Sequence, residues 1–397
     1  MPGYADPGFD TLALHAGAAP VPATGVLEQR MAALEGGIGA IATASGPAAL
    51  HLCIATLMGA GSHIVASTAL CGGTHQLLHH TLRRFGIDTT FVAPGDADAW
   101  RSAMRPTTKL LLGETVGGAA REVLDIPTIA AVAHEAGVPL LVDATLTSPW
   151  LVQPLALGAD LVLHATAPYL CGQGTVTGGV VVDGGSFDWA RAYAASGRFA
   201  ELATPCDGLD GMNFHEESTV GAFLLRARRE GLRDFGACMS PLTAFQLLQG
   251  VETLPLRMER HIANTRQAVA HLAASEAVAG IAYPELENHP DHALAQKLLP
   301  RGAGSVFSFN LKGGAVEARA AGRKFIEALR VFSHLANVGD AKSLVIHPAS
   351  TTHFRMSDAA LVAAGIHPGT IRLSIGLEDA GDLLEDLNRG LAAAAKA

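Results

Sequence analysis

Aromatic residues make up only 5% of this 397-residue chain, so it lacks the stacking platforms that single-stranded nucleic acid requires. Positive charge is not in excess either. Lys and Arg number 28 against 37 Asp and Glu, a net charge of −9, which gives no electrostatic footing for nucleic acid or an anionic membrane. The five cysteines are scattered and odd in number, fitting reduced thiols in a cytoplasm rather than a disulfide framework. Lysine is rare, occurring only at Lys109, Lys297, Lys312, Lys324, Lys342 and Lys396.

Long hydrophobic runs are also missing. From Gly36 to Leu70 the only acidic or basic residues are His51 and His63, yet Gly36-Gly37, Ser45-Gly46-Pro47 and Gly59-Ala60-Gly61-Ser62 interrupt the stretch. Each apolar piece is too short to span a bilayer, and the segment reads as strand, buried helix, strand. The opening "MPGYADPGFD" is acidic and rich in Pro and Gly, without the basic and then apolar regions that mark export. The expectation is a cytoplasmic protein with no nucleic-acid and no membrane partner.

What is present is a chain 49% hydrophobic, long enough for a large core and for two domains. "VLEQRMAALEGG" sets Leu27, Met31 and Leu34 on one helical stripe, with Gly36 placed to end the helix. "SHIVAS", "TKLLLGET", "VPLLVDAT" and "ADLVLHAT" read as short apolar strands, with helical stretches such as "IPTIAAVAHEAG" among them. Strands alternating with helices predict an α/β fold with a mostly parallel sheet covered on both faces. Four loops then gather at the carboxyl ends of strands: Cys71-Gly72-Gly73, Glu114 to Gly118, Asp143-Ala144-Thr145, and "HATAPYLCGQG". That crest is the default ligand site. After Glu230 the texture changes to one long helix interrupted near Pro255, then mixed strands and helices. The division predicted is a large domain over 1–252 and a small α+β domain over 253–397.

"FDTLALHAG", "LEQRMAALEGGIGAIATASG", "VPLLVDAT", "SPLTAFQLLQGVETLPLRMERH", "SHLANVGDAKSLVIHPASTTH" and "IRLSIGLED" together resemble the Cys/Met-metabolism family of pyridoxal-phosphate (PLP) enzymes. The nearest likeness is to the O-acetylhomoserine sulfhydrylase branch. The resemblance covers nearly the whole chain. It implies a type I PLP-transferase-like fold and a homodimer or homotetramer of closely paired subunits.

The residues that such enzymes use for chemistry are another matter. The family carries Ser-x-Thr-Lys at the end of the strand that here reads "LVLHA". Aligned on His164 and Gly178-Gly179 without a gap, those positions hold Ala165, Thr166, Ala167 and Pro168. A Schiff base needs a lysine amine, and a shift of one residue offers only Ala167. Ala165 and Ala167 replace the two hydroxyls that bind the coenzyme phosphate in the family, and Pro47 has no N–H to offer it. Cys71 stands where the family stacks a tyrosine on the ring, Gly118 where it has an asparagine. The chain also passes directly from "HAGAAPVPATG" to "VLEQRMAALEGG", without the family segment whose Tyr-x-Arg reaches a neighbour's phosphate. Each lost donor costs roughly 1–3 kcal/mol, and about 4 kcal/mol is a thousandfold in affinity. The expectation drawn from this is that the protein uses no cofactor, PLP included.

Several residues remain as candidates, each with a plainer reading beside it. By the resemblance, Asp143 matches the aspartate that pairs with the pyridinium nitrogen; otherwise it caps the turn that follows. Arg372 matches the arginine that clamps a substrate carboxylate, with Ser343 and Leu344 in the loop beside it; otherwise it pairs with a local acid such as Glu378. Cys71, Cys171 and His75 could supply a thiol–imidazole pair, although free cysteines are more often small buried hydrophobes. A metal site from Cys71, Cys171 and a histidine has no diagnostic spacing, and none is expected. His347 and His353 are read as loop-fixing residues.

Three functions are compatible with this pattern. One is a PLP-independent enzyme that reuses the pocket for an elimination, cyclisation or rearrangement of a small carboxylate or amino-acid-like ligand. Another is a catalytically dead pseudoenzyme subunit paired with an active sulfhydrylase paralogue. The last is an O-acetylhomoserine sulfhydrylase-type transferase. The first is the leading expectation.

Overall fold

The computed structural model describes residues 22–219, 221–357, 361 and 365–396. The motif "FDTLALHAG" and most of the junction that follows it therefore lie outside the described residues. The chain divides into two compact units. The first takes the described residues up to Thr115, then Leu124–Ala167 and Thr175–Gln249; the second takes Val116–Val123, Pro168–Gly174 and the chain from Gly250 onward. Two short segments thus leave the first unit to pack with the second, which no linear boundary can express.

Seven strands build the sheet of the first unit: β1 (Gly39–Thr43), β2 (His63–Ser67), β3 (Asp88–Val92), β4 (Thr108–Glu114) and, after a two-stranded ribbon of β5 (Val116–Gly117) and β6 (Glu122–Val123) in the second unit, β7 (Leu140–Asp143), β8 (Leu161–Ala165) and β9 (Gly179–Asp183). Their order is β1-β9-β8-β7-β4-β2-β3. β9 runs antiparallel to both of its neighbours and the other pairings are parallel. The central strands read as continuous apolar runs because both faces are covered. Leu110, Leu112, Leu141 and Leu163 enter one core with Leu52 and Ile54 of helix Gly46–Leu57. Leu111, Leu140 and Val142 enter the other with Ile129 and Ala133 of helix Ile126–Glu135. Each such side chain contributes about 1.5–3 kcal/mol by leaving water. Helix Pro22–Glu35 buries Leu27 and Met31, leaves Leu34 half-buried, and stops at Gly36, whose φ of 77° suits glycine.

The second unit contains a five-stranded sheet, β10 (Val278–Ala282), β11 (Val306–Leu311), β12 (Ser333–His334), β13 (Leu344–Ile346) and β14 (Thr370–Ser374), in the order β10-β11-β14-β13-β12. Ile371 and Leu373 are fully buried, so the alternation of a strand turns Arg372 to the opposite face. Phe325 of helix Ala315–Ala328 meets Phe309 edge-on at 5.5 Å. The long helix expected after Glu230 is two helices, Pro241–Glu252 and Leu254–Ala273, parted at Thr253. Pro255 lies in the first turn of the second, where its missing N–H is not needed.

Polar groups gather at the two ends of the large sheet. At the amino ends of the parallel strands, Asp160 accepts from the Leu140 N–H at 2.8 Å and meets His134 Nε2 at 2.9 Å. Asp183, at the same end, accepts from Gly185 N at 2.8 Å, while its second oxygen is buried without a partner. Burial, with the Asp160 charge adding to it, pushes the Asp183 carboxyl up from 3.8 to about 7. Between about pH 4 and 7 the native state therefore keeps a proton that the unfolded chain has released. The contribution is fully present below the unfolded value and is lost as pH rises through 7, a change worth about 4 kcal/mol at the most. Asp183→Asn, neutral at every pH, should lose less urea stability between pH 5 and 8 than the wild type; parallel profiles would refute this.

Candidate functional site

The carboxyl ends of the strands in the first unit carry the chemistry-bearing residues. Asp143 and Glu114 are register partners on adjacent strands. Glu114 Oε1 accepts the N–H of Cys71 at 2.5 Å, which ties the loop after β2 to the end of β4. Asp143 Oδ1 accepts the Thr145 N–H at 2.9 Å and the Thr145 hydroxyl as well. The same Thr145 oxygen accepts the N–H of Ala165 at 2.9 Å. Thr145 thus pins the carboxylate to the end of β8, the next strand over. Burial raises the pKa of Asp143, and the Thr145 donors and His164 oppose it. His164, one residue before that strand end, makes a fully buried 2.6 Å contact through Nε2 with Glu35 Oε1.

Cys71 is exposed and precedes the short helix Gly72–Gln76. The imidazole of His75 lies on Phe91, with ring centroids 4.4 Å apart, and beside His79 at 5.5 Å. Burial and the two neighbouring histidines lower its pKa. Cys71 and His75 belong to the first unit and Cys171 to the second. Among the described residues no three His, Cys, Asp or Glu side chains converge as a metal-binding set.

In the second unit Cys171 is buried within the segment Pro168–Gly174. Arg257 lies against this segment. It donates to Gly250 O at 2.7 Å and to Thr253 Oγ1 at 3.1 Å, and a Cβ on Gly172 would fall 2.3 Å from its Nη1. Arg372 projects from β14 between Ser308 of β11 and Ile346 of β13, and its guanidinium donates to the carbonyl of Ala336. Ser343 and Leu344 are both buried. The Ser343 N–H and hydroxyl both donate to Glu378, at 2.6 and 2.8 Å, and its oxygen accepts from Gly376 N. What these two residues offer a ligand near Arg372 is therefore the fixed position of the loop. His347 joins Ser350 Oγ and Pro368 O at 2.8 and 2.7 Å, and His353 joins Thr352. The bridging role of Thr145, the Glu35–His164 pair and Arg257 were not foreseen. Only the first has a local signal, the Asp-x-Thr spacing that favours a side chain bonding two residues on.

The model of the family described as Cys/Met metabolism PLP-dependent enzyme matches residues 19–392. An O-acetyl-L-homoserine sulfhydrylase of Leptospira meyeri is 45% identical over 93% of this chain and 84% of its own length. A homocysteine synthase of Schizosaccharomyces pombe is 43% identical over 93% of this chain and 85% of its own. Among solved structures, a putative O-acetylhomoserine (thiol)-lyase of Campylobacter jejuni aligns with a TM-score of 0.89 at 33% identity. The alignment covers 94% of this chain and 87% of that one, whose structure contains N'-pyridoxyl-lysine-5'-monophosphate. The type I PLP-enzyme fold implied by the sequence is thus the fold of this chain.

These relatives overturn the leading functional expectation. Neither a PLP-independent rearrangement nor a pseudoenzyme subunit is what a chain so similar to sulfhydrylases throughout its length supports. The sulfhydrylase-type alternative is the one that stands. The error lay in extending local losses at one loop to the function of the whole chain.

The local residues can still be tested against pyridoxal phosphate. Asp143 is placed for a ring nitrogen, half-buried at the end of β7 with its carboxylate oriented by both donors of Thr145. The other expected partners are absent. Ser45 spends its hydroxyl on the N–H of Ala48 at 3.2 Å, and Pro47 occupies the first turn of that helix. A Cβ on Gly46 would lie 2.6 Å from that of Ala165, so helix and strand end are closely packed where family hydroxyls would stand. Thr166 keeps its hydroxyl buried with no partner, beside Gly178, and Pro168 carries no amine. The residues present do not fit the coenzyme with a lysine tether and a hydroxyl cradle. Thr145→Val should cost about 1–3 kcal/mol in urea unfolding by leaving the Ala165 N–H unpaired, with Thr145→Ser near wild type. Equal losses in both variants would show that the hydroxyl does not join the two strands.

Proposed function

This chain belongs to the Cys/Met metabolism PLP-dependent enzyme family, and on that premise we propose that it is a sulfhydrylase-type transferase. It would exchange the acyloxy group of an O-acylated homoserine for a sulfur nucleophile. The bond from the side-chain terminal carbon to the acyl oxygen breaks, a carbon–sulfur bond forms, and the acyl group leaves as a carboxylate. With sulfide and O-acetylhomoserine the products are homocysteine and acetate. The single observation that carries the reading is 45% identity to such a sulfhydrylase over 93% of the chain. The placement of Arg372 supports it. A guanidinium on a central strand, beside a loop that Glu378 holds rigid through Ser343, suits a bidentate grip on an amino-acid carboxylate. Asp143, half-buried at the end of β7 and oriented by Thr145, is an acid of the first unit placed to meet a polar ligand atom. The same reading places the protein in a reduced, cytoplasmic setting as a homodimer or homotetramer.

The test is direct. Purified protein supplied with O-acetylhomoserine, sulfide and added pyridoxal phosphate should release homocysteine and acetate in equal amounts. Arg372→Ala should raise KM by about 10- to 100-fold, as expected when a charge-assisted pair of roughly 1.5–3 kcal/mol is lost, and Arg372→Lys should recover part of it. Absence of homocysteine, or an unchanged KM in Arg372→Ala, would overturn the proposal. Light scattering that shows a monomer at micromolar concentration would overturn the oligomeric part.

A further inference from the structure

We infer that this chain has no covalent tether for a carbonyl coenzyme, because the segment that would carry the amine begins with Pro168 and is built into the second unit as a fixed strap. The strap runs from Pro168 to Gly174. The Tyr169 side chain is buried, with its hydroxyl 2.7 Å from Ser305 Oγ and its ring edge-on to His261 at 5.4 Å. The Gly172 carbonyl accepts the N–H of Ala341 at 2.6 Å. Two glycines of the second unit make room for it. A Cβ on Gly250 would fall 2.3 Å from the Leu170 carbonyl oxygen, and one on Gly339 would fall 2.8 Å from Pro168 Cβ. The backbone of the strap thus lies against these two glycines with no room for a side chain at either.

No native lysine lies in the segment from Ala165 to Gly174. Lys109 pairs with Glu201 at 2.8 Å near the start of β4, five residues before Glu114 and so about 16 Å from the crest along the strand. Lys324 Nζ donates to the carbonyl of Lys396 at 2.5 Å. Lys297 lies on helix His292–Leu298 and Lys312 just after β11. Lys342 follows Ala341, the residue bonded to the strap, but it is exposed and its own N–H donates to Asp340 at 3.0 Å. Pro168 itself, at φ −64° and ψ −171°, has an extended conformation that any residue adopts. Its replacement by lysine therefore imposes no backbone strain.

The inference goes beyond the sulfhydrylase reading, and its test reads a covalent bond rather than turnover. The full-length protein would be incubated with an equimolar amount of pyridoxal phosphate, reduced with borohydride, dialysed and weighed intact. In a tethered chain the lysine nitrogen bonds to the aldehyde carbon, the carbonyl oxygen leaves as water, and hydride from borohydride reduces the C=N bond to a stable secondary amine. The wild type should retain no adduct. Pro168→Lys, or Ala167→Lys if the register differs by one, should retain one adduct per chain, mapped by peptide mass to the introduced residue. A wild-type chain that retains one adduct at any native lysine, Lys342 included, would overturn the inference, as would failure of both variants to gain one. A chain that makes homocysteine without an adduct would leave the function standing together with this inference. A chain that makes none, also without an adduct, would remove the function alone.

Discussion

The burial of both faces of the large sheet is the constraint from which the rest of the first unit follows. Leu110 and Leu112 point one way and Leu111 the other, and each meets a helix-lined core. A strand covered on both sides has no face left for polar chemistry. Ionisable side chains are pushed to the ends of the strands, and the two ends are treated differently. At one, Asp183 keeps a buried oxygen without a partner. At the other, Asp143 is supported by both donors of Thr145, which is itself bonded to the neighbouring strand. The first arrangement serves no visible recognition, whereas the second holds an acid in fixed orientation.

The same constraint explains how strong overall similarity coexists with a β8 end that carries Ala165, Ala167 and Pro168. The 45% identity to a sulfhydrylase extends over 93% of the chain, and in a packed core volume and polarity set stability. Ala165, Ala167 and Pro168 lie past the last paired residues of β8 or at its very end. Replacing hydroxyls and an amine there removes little packing. The fold therefore tolerates these changes, even though they remove groups that a coenzyme would need. The expectation of a coenzyme-free or dead protein treated these local losses as decisive for the whole chain, whereas the relatives support the sulfhydrylase-type alternative.

In the second unit the polar groups also serve to fix position. Glu378 binds both the N–H and the hydroxyl of Ser343, so the loop beside Arg372 is set by a half-buried carboxylate. Arg257 spends two of its donors on the turn between two helices and lies against Gly172 of the strap. Such charge-assisted bonds, part-buried at Ser343 and at Gly250, are stronger than neutral ones and hold their partners in place. Rigidity is the result. It suits a guanidinium that has to meet a carboxylate in one orientation.

By itself, the sequence determined the α/β class, the apolar strands, the helix that ends at Gly36 and the break near Pro255. These are local properties, set by periodicity, by the conformational freedom of glycine and by the missing N–H of proline. It also showed, by plain reading, that no lysine follows "LVLHATA". Tertiary structure decided the rest. Thr145 bridging two strands, Glu35 reaching His164 across 129 positions, and Pro168–Gly174 joining the second unit all depend on which distant segments meet. No local pattern encodes such meetings, because the energy that selects them comes from packing the whole chain at once.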